Sequence, residues 1–148
     1  MPFHFSLQAV LHLRQSIERQ QELRLRAANQ QVAQMQHAIL QAQTRQQRLR
    51  ESQSRELGAG TTAAELRFGL QCDAELARYK CGLEQQLSRL QQIRDQQREI
   101  FQQARRMSET LESVRDRKLR NYKQEASRRE QRELDDLFLL RREFSRPG

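Results

Sequence analysis

The sequence predicts an all-α fold, a long antiparallel two-helix coiled-coil hairpin in which the C-terminal part of helix two overhangs helix one. Three observations predict it. The first is composition: apolar residues make up 36% of the 148 residues, aromatics 5%, and tryptophan is absent. A globular domain of this length is built from roughly 45–50% apolar residues. With a mean hydropathy of -0.99, the chain cannot fill an interior of several layers, so what it buries is a narrow seam. The second is proline: the only two are Pro2 and Pro147, and the residues between them are dominated by Ala, Leu, Gln, Glu and Arg, which are strong helix formers. Low apolar content with 31% charged residues fits either disorder or a long helix, and the proline distribution selects helix. The third is periodicity, apolar residues recurring at steps of three and four on both sides of one glycine-rich break.

Helix one is expected over residues 7–57. Ser6 is placed to cap its first turn, with Phe5 and Val10 at the two staple positions. From Leu25 the seam reads Leu25, Ala28, Val32, Met35, Ile39, Ala42, Gln46 and Leu49, a coiled-coil repeat over more than three heptads. Extending that frame backwards meets Gln21, Glu18 and Arg14, so a register shift is expected near residues 18–24.

The repeat stops at Leu57-Gly58-Ala59-Gly60 and restarts with Thr62-Ala63-Ala64-Glu65, a capping-box pattern with its glutamate three residues after the threonine. Residues 58–62 are therefore the expected turn, and helix two is expected over about 63–143. Its seam reads Leu83, Leu90, Ile93, Ile100, Ala104, Met107, Leu111 and Val114, with Gln86 and Gln97 as polar interruptions. On that reading Met107→Asp buries an unpaired charge and unfolds much of the distal hairpin. Gly69 and Gly82 each cost about 1 kcal/mol relative to Ala in a helix interior, which makes the stretch after the turn the softest part of helix two.

A short connection makes neighbouring helices antiparallel. Counting outward from the turn pairs residues 7–57 with 63–113 and leaves 114–143 without a partner in the chain, an overhang of roughly 45 Å at about 1.5 Å per residue. It carries Leu119, Tyr122, Ala126, Leu134, Leu137, Phe138 and Leu140, and apolar residues exposed at that density mark a binding surface.

The formal charge is +8, with acids interleaved among the arginines, as in Glu18 and Glu22 among Arg14, Arg19 and Arg26. That is the pattern of a solvated helix surface. Cys72 and Cys81 lie nine residues apart, on opposite faces of a helix, so they cannot bridge each other and they fit a reducing compartment. No apolar run is long enough for a membrane span, and the expectation is a soluble, intracellular protein.

Catalytic constellations are absent from the sequence. Gly58-Ala59-Gly60 lacks the lysine and hydroxyl residue of a phosphate-binding loop. His4, His12 and His37 are neither i,i+4 partners nor near a cysteine, which argues against a zinc site. Asp135-Asp136 sits in a highly charged stretch with no pocket to perturb it. The expectation is no enzyme, no catalytic, metal or cofactor-binding residues, and no cofactor.

The termini carry more than a period. Phe3-His4-Phe5-Ser6-Leu7-Gln8-Ala9-Val10-Leu11-His12-Leu13-Arg14, followed by Glu18, resembles the start of the flagellar export protein FliJ family, whose members begin Phe-x-Phe-x-Leu, then Val/Leu-Leu and Arg. Arg128-Arg129-Glu130-Gln131-Arg132-Glu133-Leu134-Asp135-Asp136 is similar to that family's basic, then acidic ending. The resemblance implies a stalk that enters the hexameric flagellar export ATPase and couples it to the cytoplasmic domain of the export gate. It also implies interaction with export chaperones, and a cytoplasmic position peripheral to the inner membrane. Leu134, Leu137 and Phe138 are then candidates for the ATPase contact, and Phe68, Leu70, Leu76 and Tyr79 for the gate contact. Two alternatives stand beside it: an injectisome stalk with the same fold, and a basic coiled coil that binds nucleic acid, motivated by a pI near 10.6. Nucleic-acid binding is not expected, because acids interleave with the arginines and no exposed aromatic stacking platform is evident.

Overall fold

The computed structural model describes residues 2–145; the expected hairpin's residues 1 and 146–148 lie outside them. The fold is all-α, a helical hairpin of α1 (Gln8–Ala59) and α2 (Ala63–Ser145) packed against each other. α1 takes in Leu57 and Gly58, and the chain leaves helical geometry at Gly60, whose φ of 94° is the left-handed conformation that glycine adopts without penalty. The Thr62–Glu65 capping box is formed in both directions. Thr62 N–H donates to Glu65 Oε2 at 3.4 Å and Glu65 N–H to Thr62 Oγ1 at 3.3 Å, so orphan donors of the first turn of α2 are satisfied.

Packing divides into two units. The turn unit comprises residues 19–102. Its core holds Ala28, Val32, Ile39 and Ala42 from α1 and Leu83 from α2, with Met35, Ala38 and Leu87 packed against the Ile39–Ala42–Leu83 cluster. These α1 residues are the ones that the periodicity selected. Gln21 and Gln97 meet side chain to side chain, Gln97 Nε2 donating to Gln21 Oε1 at 2.6 Å. Gly69 fits where no larger residue would without adjustment: a Cβ there would stand 2.5 Å from Gln53 Nε2.

The terminal unit comprises the described residues of 1–18 and 103–148. Leu11 and Ser108 are fully buried in it, and Phe5 and Ala104 nearly so. The chain enters α1 through a turn at Ser6 and Leu7, with Gln8 N–H donating to the Phe5 carbonyl at 3.1 Å. The expected staple between Phe5 and Val10 is not the arrangement found: Val10 is exposed, and buried Phe5 lies under the Lys118 ammonium, 5.5 Å from its ring centroid. The rings of Phe3 and Tyr122 meet at a tilt of 53°, with centroids 5.6 Å apart. This extended segment before α1 covers more of α2 than a helix-only count allows. Leu119, Tyr122 and Ala126 are half-buried, and uninterrupted exposure begins at residue 127, not 114.

Two expectations about the seam need correction. No register shift occurs near residues 18–24, because Arg14, Glu18 and Gln21 are themselves half-buried and the three- and four-residue steps of α1 run on through polar side chains. On α2 the covered positions are Leu83, Leu87, Leu90, Arg94, Gln97 and Phe101 in the turn unit and Ala104, Ser108 and Leu111 in the terminal unit. Ile93, Ile100 and Met107 flank that line and are 53%, 46% and 50% exposed. Selecting positions by hydrophobicity put these three in the seam because the true positions beside them are Arg94, Phe101 and Ser108, two of which are polar. The expected unfolding by Met107→Asp therefore has no buried site to act on.

Candidate protein-binding surfaces

The turn unit opens a groove on one side of the hairpin. Beside the turn it has a volume of about 620 Å³, with Leu49, Ser52 and Glu56 of α1 facing Phe68, Gly69 and Cys72 of α2. A second hollow of about 530 Å³ shares Leu49 and Cys72 with it and adds Arg45, Glu75, Leu76 and Tyr79. Phe68, Cys72, Leu76 and Tyr79 recur at helical steps of four, four and three, so a single face of α2 makes one wall. Three of the four gate candidates, Phe68, Leu76 and Tyr79, are thus brought together. Leu70 is not among them. It lines a separate recess of about 100 Å³ with Leu57, Leu66 and Gly69. Phe68, Leu70 and Tyr79 are exposed and Leu76 is half-buried. Sequence reasoning missed Leu49 and Cys72, which link the two hollows, because each reads as an ordinary helix residue until its facing partner is known.

In the terminal unit every described residue from 127 to 145 is exposed. Leu134, Leu137 and Phe138 belong to an exposed apolar group that also contains Leu139, Leu140 and Phe144, the last 88% exposed. Leu134, Leu137, Phe138 and Phe144 fall on one side of the helix by their spacing, while Leu139 falls outside that stripe. Upstream, Arg128, Arg129 and Arg132 surround a shallow hollow with Glu125. This stretch therefore offers arginines that can form paired hydrogen bonds to carboxylates, followed by a large apolar surface.

The ion pairs are at the surface. Arg50 meets the half-buried Asp73 across the two helices at 3.4 Å, and farther along α1 the exposed Arg26 meets Glu22 at 2.9 Å. Pairs of this kind contribute about 0–1 kcal/mol. Among the described residues no group of three or more His, Cys, Asp or Glu could hold a metal ion, and no helix is long and apolar enough to cross a membrane.

The fold and its surfaces define a class: an all-α helical hairpin that leaves apolar stripes and arginine clusters exposed. The family model described as "Flagellar FliJ protein" matches residues 3–147, nearly the whole chain, and the chain belongs to that family. It is accordingly a component related to flagellar protein export. Neither the curated proteins nor the solved structures yield a match to the chain.

Proposed function

We propose that the chain is a non-enzymatic stalk of the flagellar type III export apparatus, cytoplasmic and held at the inner membrane through that apparatus. The terminal unit seats in the hexameric export ATPase through Leu134, Leu137 and Phe138. The Phe68, Leu76 and Tyr79 wall meets the cytoplasmic domain of the export gate, with Leu70 presented from the neighbouring side, and export chaperones are further partners. Family membership supports the export assignment. The observation that carries the ATPase contact is the stretch 127–145, where leucines and phenylalanines stand exposed on a helix that α1 does not cover. Arg128, Arg129 and Arg132 suit a ring lumen bearing carboxylates, with many weak contacts that salt screens.

The test is binding of the full chain to the host's export ATPase, to the gate's cytoplasmic domain, to chaperones and to duplex DNA across a salt titration. Replacing Leu134, Leu137 and Phe138 together by Ala removes apolar area available to a partner and weakens ATPase binding by roughly a hundredfold, with melting nearly unchanged. Phe68→Ala with Tyr79→Ala weakens gate binding alone. Equal loss of folding in the first variant would make those residues core and refute the contact. Strong, salt-steep DNA binding without ATPase capture would favour the nucleic-acid reading.

A further inference from the structure

We propose that the strip of α2 carrying Ile93 and Ile100, within the turn unit, is a docking site for an amphipathic helix with acidic flanks, laid beside α2 as a third helix. This goes beyond the stalk reading, which uses neither residue. The two isoleucines are half-exposed and seven residues apart, so they lie on one face of α2. Tyr79, two heptads before Ile93 with Gln86 between them, lies on the same face and is also exposed. α2 therefore carries an apolar arc broader than one neighbouring helix covers. α1 covers the line through Leu87, Leu90, Arg94, Gln97 and Phe101, and the isoleucine edge is left over. Isoleucine is a weaker helix former than Leu, Gln or Lys, so neither helix propensity nor packing within the turn unit calls for it at these positions.

Charge specifies the occupant. Within the turn unit, the residues three and four positions from Ile93 and Ile100 are Arg89, Leu90, Gln96 and Gln97, with no carboxylate among them. The same side of the hairpin carries Arg45, which lines a hollow with Tyr79 and one carboxylate, Glu75, and Arg24 lies three heptads before Arg45 on α1, so arginines outnumber acids along the strip. A second copy of the chain presenting this strip would set arginine against arginine, whereas a helix flanked by glutamates pairs with them. From Tyr79 to Ile100 the strip is about 30 Å long at roughly 1.5 Å per residue, enough for about three heptads of partner.

The experiment titrates the full chain with a labelled synthetic peptide of about three heptads, Leu at its a and d positions and Glu at its e and g positions, against a control with Lys replacing Glu. The Glu peptide binds and the Lys peptide does not. Ile93→Asn with Ile100→Asn weakens binding about thirtyfold, the share of two half-covered isoleucines, and leaves the melting curve in place. Arg89→Glu, at an exposed site, weakens the Glu peptide and admits the Lys peptide, which keeps the test decisive if the double variant folds poorly. The variants at Leu134, Leu137 and Phe138, and at Phe68, bind the peptide normally, so failure here is distinguishable from failure of the stalk reading. No binding, equal binding of the two peptides, or wild-type self-association that the isoleucine variant abolishes would overturn the proposal.

Discussion

Ser108→Ala should stabilise the protein, although it removes a polar side chain from a chain that is mostly polar. Ser108 is 0% exposed, and among the described residues its Oγ has no hydrogen-bond partner. A buried hydroxyl left unsatisfied carries a desolvation penalty of about 1–3 kcal/mol. Alanine is also the better helix former, within a scale spanning about 0.7 kcal/mol for ordinary residues. Against these stand a few lost dispersion contacts, each about 0.1–0.2 kcal/mol. The balance is a gain of about 1–2 kcal/mol, or roughly 3–6 °C in melting temperature for a chain of this size. Urea unfolding followed by helical circular dichroism reads the gain as a higher midpoint at constant slope, with calorimetry for the temperature shift. A variant no more stable than the parent would mean that the hydroxyl bonds a carbonyl in the preceding turn, and the burial argument would fail. Leu11→Ala in the same unit gives the opposite sign, a loss of about 3–5 kcal/mol, because Leu11 is also fully buried and its removal leaves a cavity.

Further outcomes follow from particular positions. Met107→Asp should shift stability by no more than about 0.5 kcal/mol, since the side chain is half-exposed and the Arg14 guanidinium lies 3.4 Å from its sulfur; loss of helicity in that variant would restore Met107 to the seam. Gly82→Ala should stabilise by about 1 kcal/mol, as nothing stands within 4 Å of the added Cβ. Gly69→Ala should gain less, because the Gln53 amide must move, and a larger gain than at Gly82 in paired thermal melts would contradict that.

The fold class was legible because it depends on features that a sequence displays directly: proline position, helix-forming composition and a glycine break followed by Thr62 and Glu65. The α1 seam from Leu25 to Leu49 was legible for the same reason, its covered positions being mostly apolar. The α2 seam was legible in part: Leu83, Leu90, Gln97, Ala104 and Leu111 are covered as expected. Where Arg94 and Ser108 occupy covered positions, counting apolar residues favours Ile93 and Met107, the seven-residue step carries that frame through Ile100 beside Phe101, and the rule that finds seams there selects the flank. The N-terminal segment escaped for a different reason. Phe3 and Phe5 precede the helix, and helical periodicity cannot show that they pack on α2 at Tyr122 and Lys118. The groove at Leu49 and Cys72 depends on which residues face each other across two helices, and no single-helix pattern carries that.

The distribution of side-chain size suggests why so many apolar residues are outside. The buried positions include Ala28, Ala42, Ala104 and Ser108, while Phe68, Ile93, Ile100, Leu137, Phe138 and Phe144 are exposed. Small buried residues let α1 and α2 approach closely within each unit but contribute little apolar burial, since the hydrophobic gain scales with area at about 25 cal/mol per Å². Moving the large residues inward would raise stability, at the expense of surface that a partner could cover. For a member of an export-apparatus family that exchange has a direct consequence. Substitutions at the exposed aromatics and isoleucines should separate binding from folding, because the hairpin draws little of its stability from them.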